Sequence, residues 1–195
     1  MNSILVYRSH YGSTGRYAAW LAEETGMQAV DARKVTRRQL AECSCIVYGG
    51  GLYAGGVSGL PAFLKKLPPM EDRRLAVFTV GLADPAQPGN TEKIRADVER
   101  LFARAGRAAL LEKTALFHLR GAMDYGRLNT VHSLMMKMLR NMLERTAEEK
   151  RTPEDRQLLD TFGGCVDFTD RAALAPLGAW VRQQEQEAER NIPER

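Results

Sequence analysis

A chain of 195 residues is long enough to bury a sizeable core, and 44% hydrophobic against 27% charged residues is the balance of a globular protein in water. No run approaches the roughly 20 apolar residues that span a bilayer, the N-terminus lacks the basic and apolar regions of a secretion signal, and a net charge of +4 without a basic stripe interleaved with aromatics argues against nucleic acid. Three cysteines, Cys43, Cys45 and Cys165, fit neither an even disulfide framework nor a zinc or redox spacing, so a cytoplasmic setting with reduced thiols is expected.

The pattern alternates strand, loop and helix. Ile4 to Tyr7 reads as the first strand, and Tyr17, Ala18, Leu21 and Ala22 give the next segment helical spacing. Gly26 is a helix stop. A short strand at Gln28 to Val30 leads to a helix near Arg37 to Glu42. Cys45 to Tyr48 is a buried-strand run, and glycines from Gly49 to Gly56 are expected to end it, since glycine weakens a strand interior. Leu60 to Leu67 reads as a short helix with Pro61 in its first turn. Leu75 to Val80 is continuously apolar, as in strands covered on both faces. Ile94, Val98, Leu101, Phe102 and Ala105 form a helical stripe. The fifth strand is placed at Ala109 to Phe117, and the last helix at Arg171 to Glu187 with Asp170 as N-cap.

Before that last helix lies an insertion, residues 121–162, with a helix near Val131 to Arg145 and a polar stretch from Glu148 to Arg156. A long insertion in a regular α/β unit is usually functional or mobile. No linker or repeat is visible, so one domain over 1–195 is expected. Five strands with intervening helices predict a doubly wound parallel sheet of order 2-1-3-4-5. Ligands of such sheets bind at the carboxyl ends of the strands, which selects the loops after Arg8, Gly49 and Gly81.

The first loop, Ser9-His10-Tyr11-Gly12-Ser13-Thr14-Gly15, precedes a helix whose N–H groups and dipole favour an anion. Ser9, Ser13 and Thr14 add hydroxyl donors, and Gly12 permits close approach. The loop lacks the Gly-Lys of a nucleotide-hydrolysing P-loop, the Gly-x-Gly-x-x-Gly of a dinucleotide site and the cysteine of a phosphatase loop. Read alone it is either a phosphate site or a capped turn without a ligand. The three histidines, His10, His118 and His132, are too scattered for a metal motif. No nucleophile–base set or carboxylate pair stands out, so no catalytic residue is named and any chemistry must come from a cofactor.

Tyr11-Gly12-Ser13-Thr14 after an apolar strand resembles the phosphate loop of flavodoxins. The chain is most similar to the flavodoxin-domain group that includes menaquinone-dependent protoporphyrinogen oxidase. Gly49-Gly50-Gly51-Leu52-Tyr53-Ala54-Gly55 resembles that group's second flavin loop, and His118 to Tyr125 the start of its long insertion. Ser13 stands where many flavodoxins carry Asn, and Gly15 where a polar residue is more usual. The resemblance implies flavin mononucleotide (FMN) as cofactor. Ser9, Tyr11, Gly12, Ser13 and Thr14 would lie at its phosphate, and Gly50, Gly51, Leu52, Tyr53, Gly81, Leu82 and Ala83 at its ring. Tyr53 would stack on the isoalloxazine. The third loop offers no aromatic for the second face, so Met123 and Tyr125 of the insertion are the candidates, and Asp84 either repels electrons or turns the loop.

Leu134, Met135, Met138, Leu139, Met142 and Leu143 make an apolar stripe on the inserted helix, opposite Lys137, Arg140, Asn141 and Glu144. The stripe either packs on the domain or meets a partner, a second copy or an anionic membrane. Between Leu116 and Arg151, seven Lys or Arg face four Asp or Glu, a net +3 of the chain's +4. Three functions remain open. One is an FMN-binding electron carrier or oxidoreductase working with a redox protein or quinone. The second is a menaquinone-dependent protoporphyrinogen IX dehydrogenase at the inner face of the membrane. The third is a flavin-free binding module of the same fold.

Overall fold

The computed structural model describes residues 2–53 and 55–190; Ala54, in the predicted second loop, lies outside the described residues. Its strands are β1 (Ser3–Arg8), β2 (Gln28–Asp31), β3 (Cys45–Tyr53), β4 (Gly56–Val57), β5 (Arg74–Gly81), β6 (Thr114–Arg120), β7 (Ala122–Asp124) and β8 (Cys165–Asp167). Helices are α1 (Ser13–Thr25), α2 (Arg37–Ala41), α3 (Leu60–Leu64), α4 (Asn90–Arg104), α5 (Ala108–Leu111), α6 (Thr130–Arg145), α7 (Pro153–Asp160) and α8 (Ala175–Arg190). The central sheet is parallel in the order β2-β1-β3-β5-β6, with β4 paired antiparallel to the end of β3. This is the predicted 2-1-3-4-5 arrangement, renumbered by the short β4.

Side-chain alternation along the strands divides the core in two. Ile4, Val6, Ile46, Tyr48, Leu75 and Val77 meet α2, α3, α4 and α5 on one face. Leu5, Val47, Ala76 and Phe78 meet α1 and α8 on the other. Both faces are covered, which is why β3 and β5 carry near-continuous apolar runs.

The third strand does not stop at Tyr48, contrary to the glycine argument. Gly49, Gly50 and Gly51 pair with Tyr7 and Arg8 of β1 and with Phe78, Thr79 and Val80 of β5. Two flanking ladders outweigh the low strand preference of glycine. The neighbours also need the space: an added Cβ on Gly49 would lie 2.1 Å from the Phe78 ring, and one on Gly50 would lie 2.5 Å from Val57. The strand therefore delivers Leu52 and Tyr53, rather than a glycine loop, to the carboxyl edge.

Other predicted boundaries shift. Leu60–Leu64 is shorter than the expected helix. Ala108–Leu111 is a helical turn, in keeping with Ala and Leu as helix formers, and the fifth parallel strand begins only at Thr114. The last helix is entered through a 3₁₀ turn at Ala172–Leu174, where Asp170 Oδ1 accepts from the Ala172 N–H. The polar stretch before α7 is a helix start: Thr152 and Asp155 form a capping box and Pro153 occupies the first turn. The inserted unit closes beyond Phe162, because β7 pairs antiparallel with β8, Ala122 opposite Asp167.

Gly49→Ala is expected to destabilise the protein by about 1–3 kcal/mol, since the buried Phe78 ring has no room to retreat; a urea titration of both proteins measures it.

Candidate functional site

The β1–α1 loop brings an open helix end to the carboxyl edge of the sheet. Gly12, at φ 104°, turns the chain into α1 as its N-cap and leaves the first turn without a side-chain cap. The N–H groups of Ser13, Thr14 and Gly15 lie in that turn. Ser9 Oγ accepts from the Gly12 N–H at 3.1 Å, and Ser13 Oγ accepts from the Ala122 N–H at 3.0 Å. In each bond the hydroxyl is the acceptor, so its own proton stays available for donation. Thr14 is buried. Ser9, Ser13 and Thr14 line one cleft of about 50 Å³.

Two arginines flank this loop, and both are turned to carboxylates. Arg8 lies 3.7 Å from Asp31. Arg16 donates to Asp167 at 2.6 Å and to Thr169 at 2.7 Å. The Thr169 hydroxyl and the Arg16 guanidinium hold the Asp167 carboxyl down at about 2. An anion in the cleft would therefore be held by hydroxyls, backbone N–H groups and the helix dipole, without a dedicated cation.

The cleft continues into an apolar cavity of about 290 Å³. Leu52 and Tyr53 border both spaces, as do Gly81, Leu82 and Met123. Leu82 and Ala83 form the third-loop wall, and Met135, Met136 and Leu139 of α6 face them. Burial pushes the Tyr53 phenol up to about 12.

Of the residues selected from sequence, Ser9, Tyr11, Ser13, Thr14, Gly51, Leu52, Tyr53, Gly81 and Leu82 border the cleft, and Ala83 borders the cavity. Gly12 shapes the loop as N-cap without lining either space. Gly50 points away, against Val57. Met123 lines the cavity, whereas Tyr125 packs on Phe162 at 4.7 Å and borders an adjoining cavity of about 170 Å³ that shares Leu82, Ala83 and Leu158 with the first. Asp84 turns its loop, with Oδ1 accepting from the Ala86 N–H, and its own N–H donates to Glu154 of α7 at 2.6 Å. His118 bonds Thr79 within the sheet and lines none of these spaces; burial lowers its pKa.

His132 was not singled out by sequence, since a lone histidine in an apolar stripe carries no signal. In the fold it stands against the first and second loops. Its ring stacks on Tyr53 at 5.2 Å and 9°, and its Nδ1 lies 2.5 Å from the Tyr11 hydroxyl. His10 packs edge-on against Tyr11 at 4.5 Å.

A parallel doubly wound sheet with an open helix N-terminus after β1 and an apolar cavity beside it defines the class: a doubly wound α/β protein with its candidate site at the carboxyl edge of the sheet. The chain matches the family model of the flavodoxin domain over residues 4–150 and belongs to that family. None of the curated proteins matches the chain. Among solved structures it is similar to two-electron reduced Megasphaera elsdenii flavodoxin, at 13% identity over 60% of this chain and 82% of that one, with a TM-score of 0.43. It is similar to an azoreductase from Bacillus anthracis, at 10% identity over 62% and 87%, with a TM-score of 0.42. It is similar to an NADPH-quinone reductase from P. pentosaceus, at 13% identity over 69% and 92%, with a TM-score of 0.41. At such identities and scores these likenesses carry no functional weight.

Proposed function

We propose that this protein is a flavin-dependent redox protein that binds FMN across the cleft and the apolar cavity. The observation that carries the reading is the convergence of an uncapped helix N-terminus and three hydroxyls on one end of a continuous, otherwise apolar space. The residues fit the group. Ser9, Ser13 and Thr14 would donate to the phosphate, and Leu52, Tyr53, Leu82 and Ala83 would border the ring. When bound, FMN supplies one- or two-electron chemistry that none of these side chains has. The chain's own residues bind, orient and exclude water.

Magnitudes rank the contributions. A hydrogen bond to a charged acceptor is worth about 1.5–3 kcal/mol. Aromatic stacking adds about 0.5–1.5 kcal/mol beyond buried area. Binding is therefore governed by the phosphate loop more than by Tyr53.

The exchange partner is a lipid-soluble quinone, reached where α6 meets an anionic membrane surface. Val131, Leu134, Met138 and Met142 of α6 are 57–65% exposed, so the stripe does not simply pack on the sheet. Met136 and Leu139 turn to the cavity and Leu143 is buried. Arg127, Lys137 and Arg145 of the inserted unit are exposed. No helix among the described residues is long and apolar enough to cross a membrane. The finer reading, membership of the group that includes menaquinone-dependent protoporphyrinogen oxidase with protoporphyrinogen as the electron donor, rests on the loop resemblance of Tyr11–Thr14, Gly49–Gly55 and His118–Tyr125. A homodimer through the same face is the competing outcome.

FMN added to the apoprotein should lose fluorescence saturably at micromolar concentration. Ser9→Ala with Thr14→Ala should weaken binding by about 3–6 kcal/mol if the two donors act independently. Absence of any quenching contradicts the reading and favours a flavin-free module.

Leu134→Glu with Met138→Glu should abolish sedimentation with vesicles rich in anionic lipid while leaving FMN affinity unchanged. Unaltered vesicle binding, or a dimer that the two substitutions dissociate, contradicts the membrane reading.

A further inference from the structure

We propose that His132 is a positioning residue of the ligand site: it ties the insertion to the first and second loops at one point and holds Tyr11 and Tyr53 as a preformed wall of the cavity. The inference rests on the flavin reading for its ligand class, a phosphate-bearing planar heteroaromatic. The tie itself is a property of the chain.

The geometry begins at the N-terminus of α6. Asn129 caps the helix, its Oδ1 accepting from the His132 N–H at 2.8 Å. That bond fixes where the His132 backbone stands. The Asn129 N–H points the other way and donates to the Tyr11 hydroxyl at 3.3 Å. With its oxygen accepting there, Tyr11 donates its proton to His132 Nδ1 at 2.5 Å. This assignment, made from the bonding network, makes Nδ1 the acceptor and places the ring proton on Nε2. The ring plane is thereby set, and Tyr53 lies on it, nearly parallel.

These contacts attach the N-terminal half of α6 to the sheet. Farther along, the inserted unit is held by different means. Leu143 is buried, Arg151 closes the end of α6 by donating to the Leu143 and Thr146 carbonyls, and Arg120 reaches Gln157 of α7. At the other end, among the described residues, the polar and stacking contacts between α6 and the first two loops pass through Tyr11, Tyr53, His10 and His132.

The same pair is a partition. Tyr53 and His132 border both the apolar cavity of about 290 Å³ and an outer groove of about 310 Å³ lined by His10, Ser58, Pro61 and Asn129. With His132 bonded to Tyr11 the two spaces stand apart. Release of His132 frees Tyr53 and joins them.

The test is a double-mutant cycle on the full chain, read by hydrogen–deuterium exchange of residues 130–139 without flavin. Tyr11→Phe keeps the ring and removes the bond; His132→Ala removes both bond and stack. Each should speed exchange there by about tenfold, the scale of one lost hydrogen bond. The double variant should add little beyond His132→Ala. His132→Gln, which keeps an acceptor for Tyr11, should recover part of the protection. With FMN bound, Tyr11→Phe and His132→Ala should each speed its release. Unchanged exchange in the single variants, or effects that simply add, overturns the proposal. The flavin-free arm stands whether or not FMN binds, so failure of the tie and failure of the flavin reading are distinguishable.

Discussion

The site depends on the open first turn of α1. A helix begins with backbone N–H groups that lack intrahelical partners, and in most helices a side chain satisfies one of them. Here Gly12 occupies the cap position and supplies no side chain. The nearby hydroxyls do not fill the gap. Ser9 is turned back on Gly12 and Ser13 is turned out to Ala122, each as an acceptor. Arg16 is bonded to Asp167, while Arg8 lies 3.7 Å from Asp31 with its Nη1 buried and without a hydrogen bond, and neither lines the cleft, which keeps donors and a helix dipole. A phosphate is the group such a cleft accepts most readily.

The same loop anchors the insertion. Ser13 receives the N–H of Ala122, where β7 begins. Tyr17, one turn farther on α1, donates to the Arg120 carbonyl at 2.7 Å and accepts from the Asp170 N–H at 3.0 Å, clamping both ends of the inserted unit. Arg16 reaches Asp167 and Thr169 on the returning strand. Tyr11 meets α6. Four residues on one loop and helix thus register the insertion against the sheet. A variant that disturbs α1 for reasons of stability will also move the walls of the cavity.

Much of this was legible in sequence. The buried runs at Ile4–Tyr7, Cys45–Tyr48 and Leu75–Val80 located three parallel strands, since strands covered on both faces need unbroken apolar sequence. The hydroxyls and glycine of the Ser9–Gly15 loop marked a helix start at the carboxyl edge, and the structure places Ser9, Ser13 and Thr14 on one cleft beside the open N-terminus of α1. Local reasoning failed where tertiary context decides. Glycine propensity ended β3 too early, because it cannot register two flanking ladders and the rings of Phe78 and Tyr53 that need glycine beneath them. Strands of three residues, such as β7 and β8, are too short to show a period of two. Thr152-Pro153-Glu154-Asp155 did carry a helix-start signature that could have located α7. His132 carried none. Its role exists only because α6 folds back over two loops more than 70 residues earlier in the chain.

If the first turn of α1 receives the phosphate of FMN, its backbone amides report the ligand. Amide resonances of the ¹⁵N-labelled protein, followed during addition of FMN, test it most directly. The account predicts that Ser13, Thr14 and Gly15 shift furthest, saturably, and that Leu82 and Ala83 shift with them. Saturable shifts confined to α6, or no shift in the first turn of α1, would contradict it.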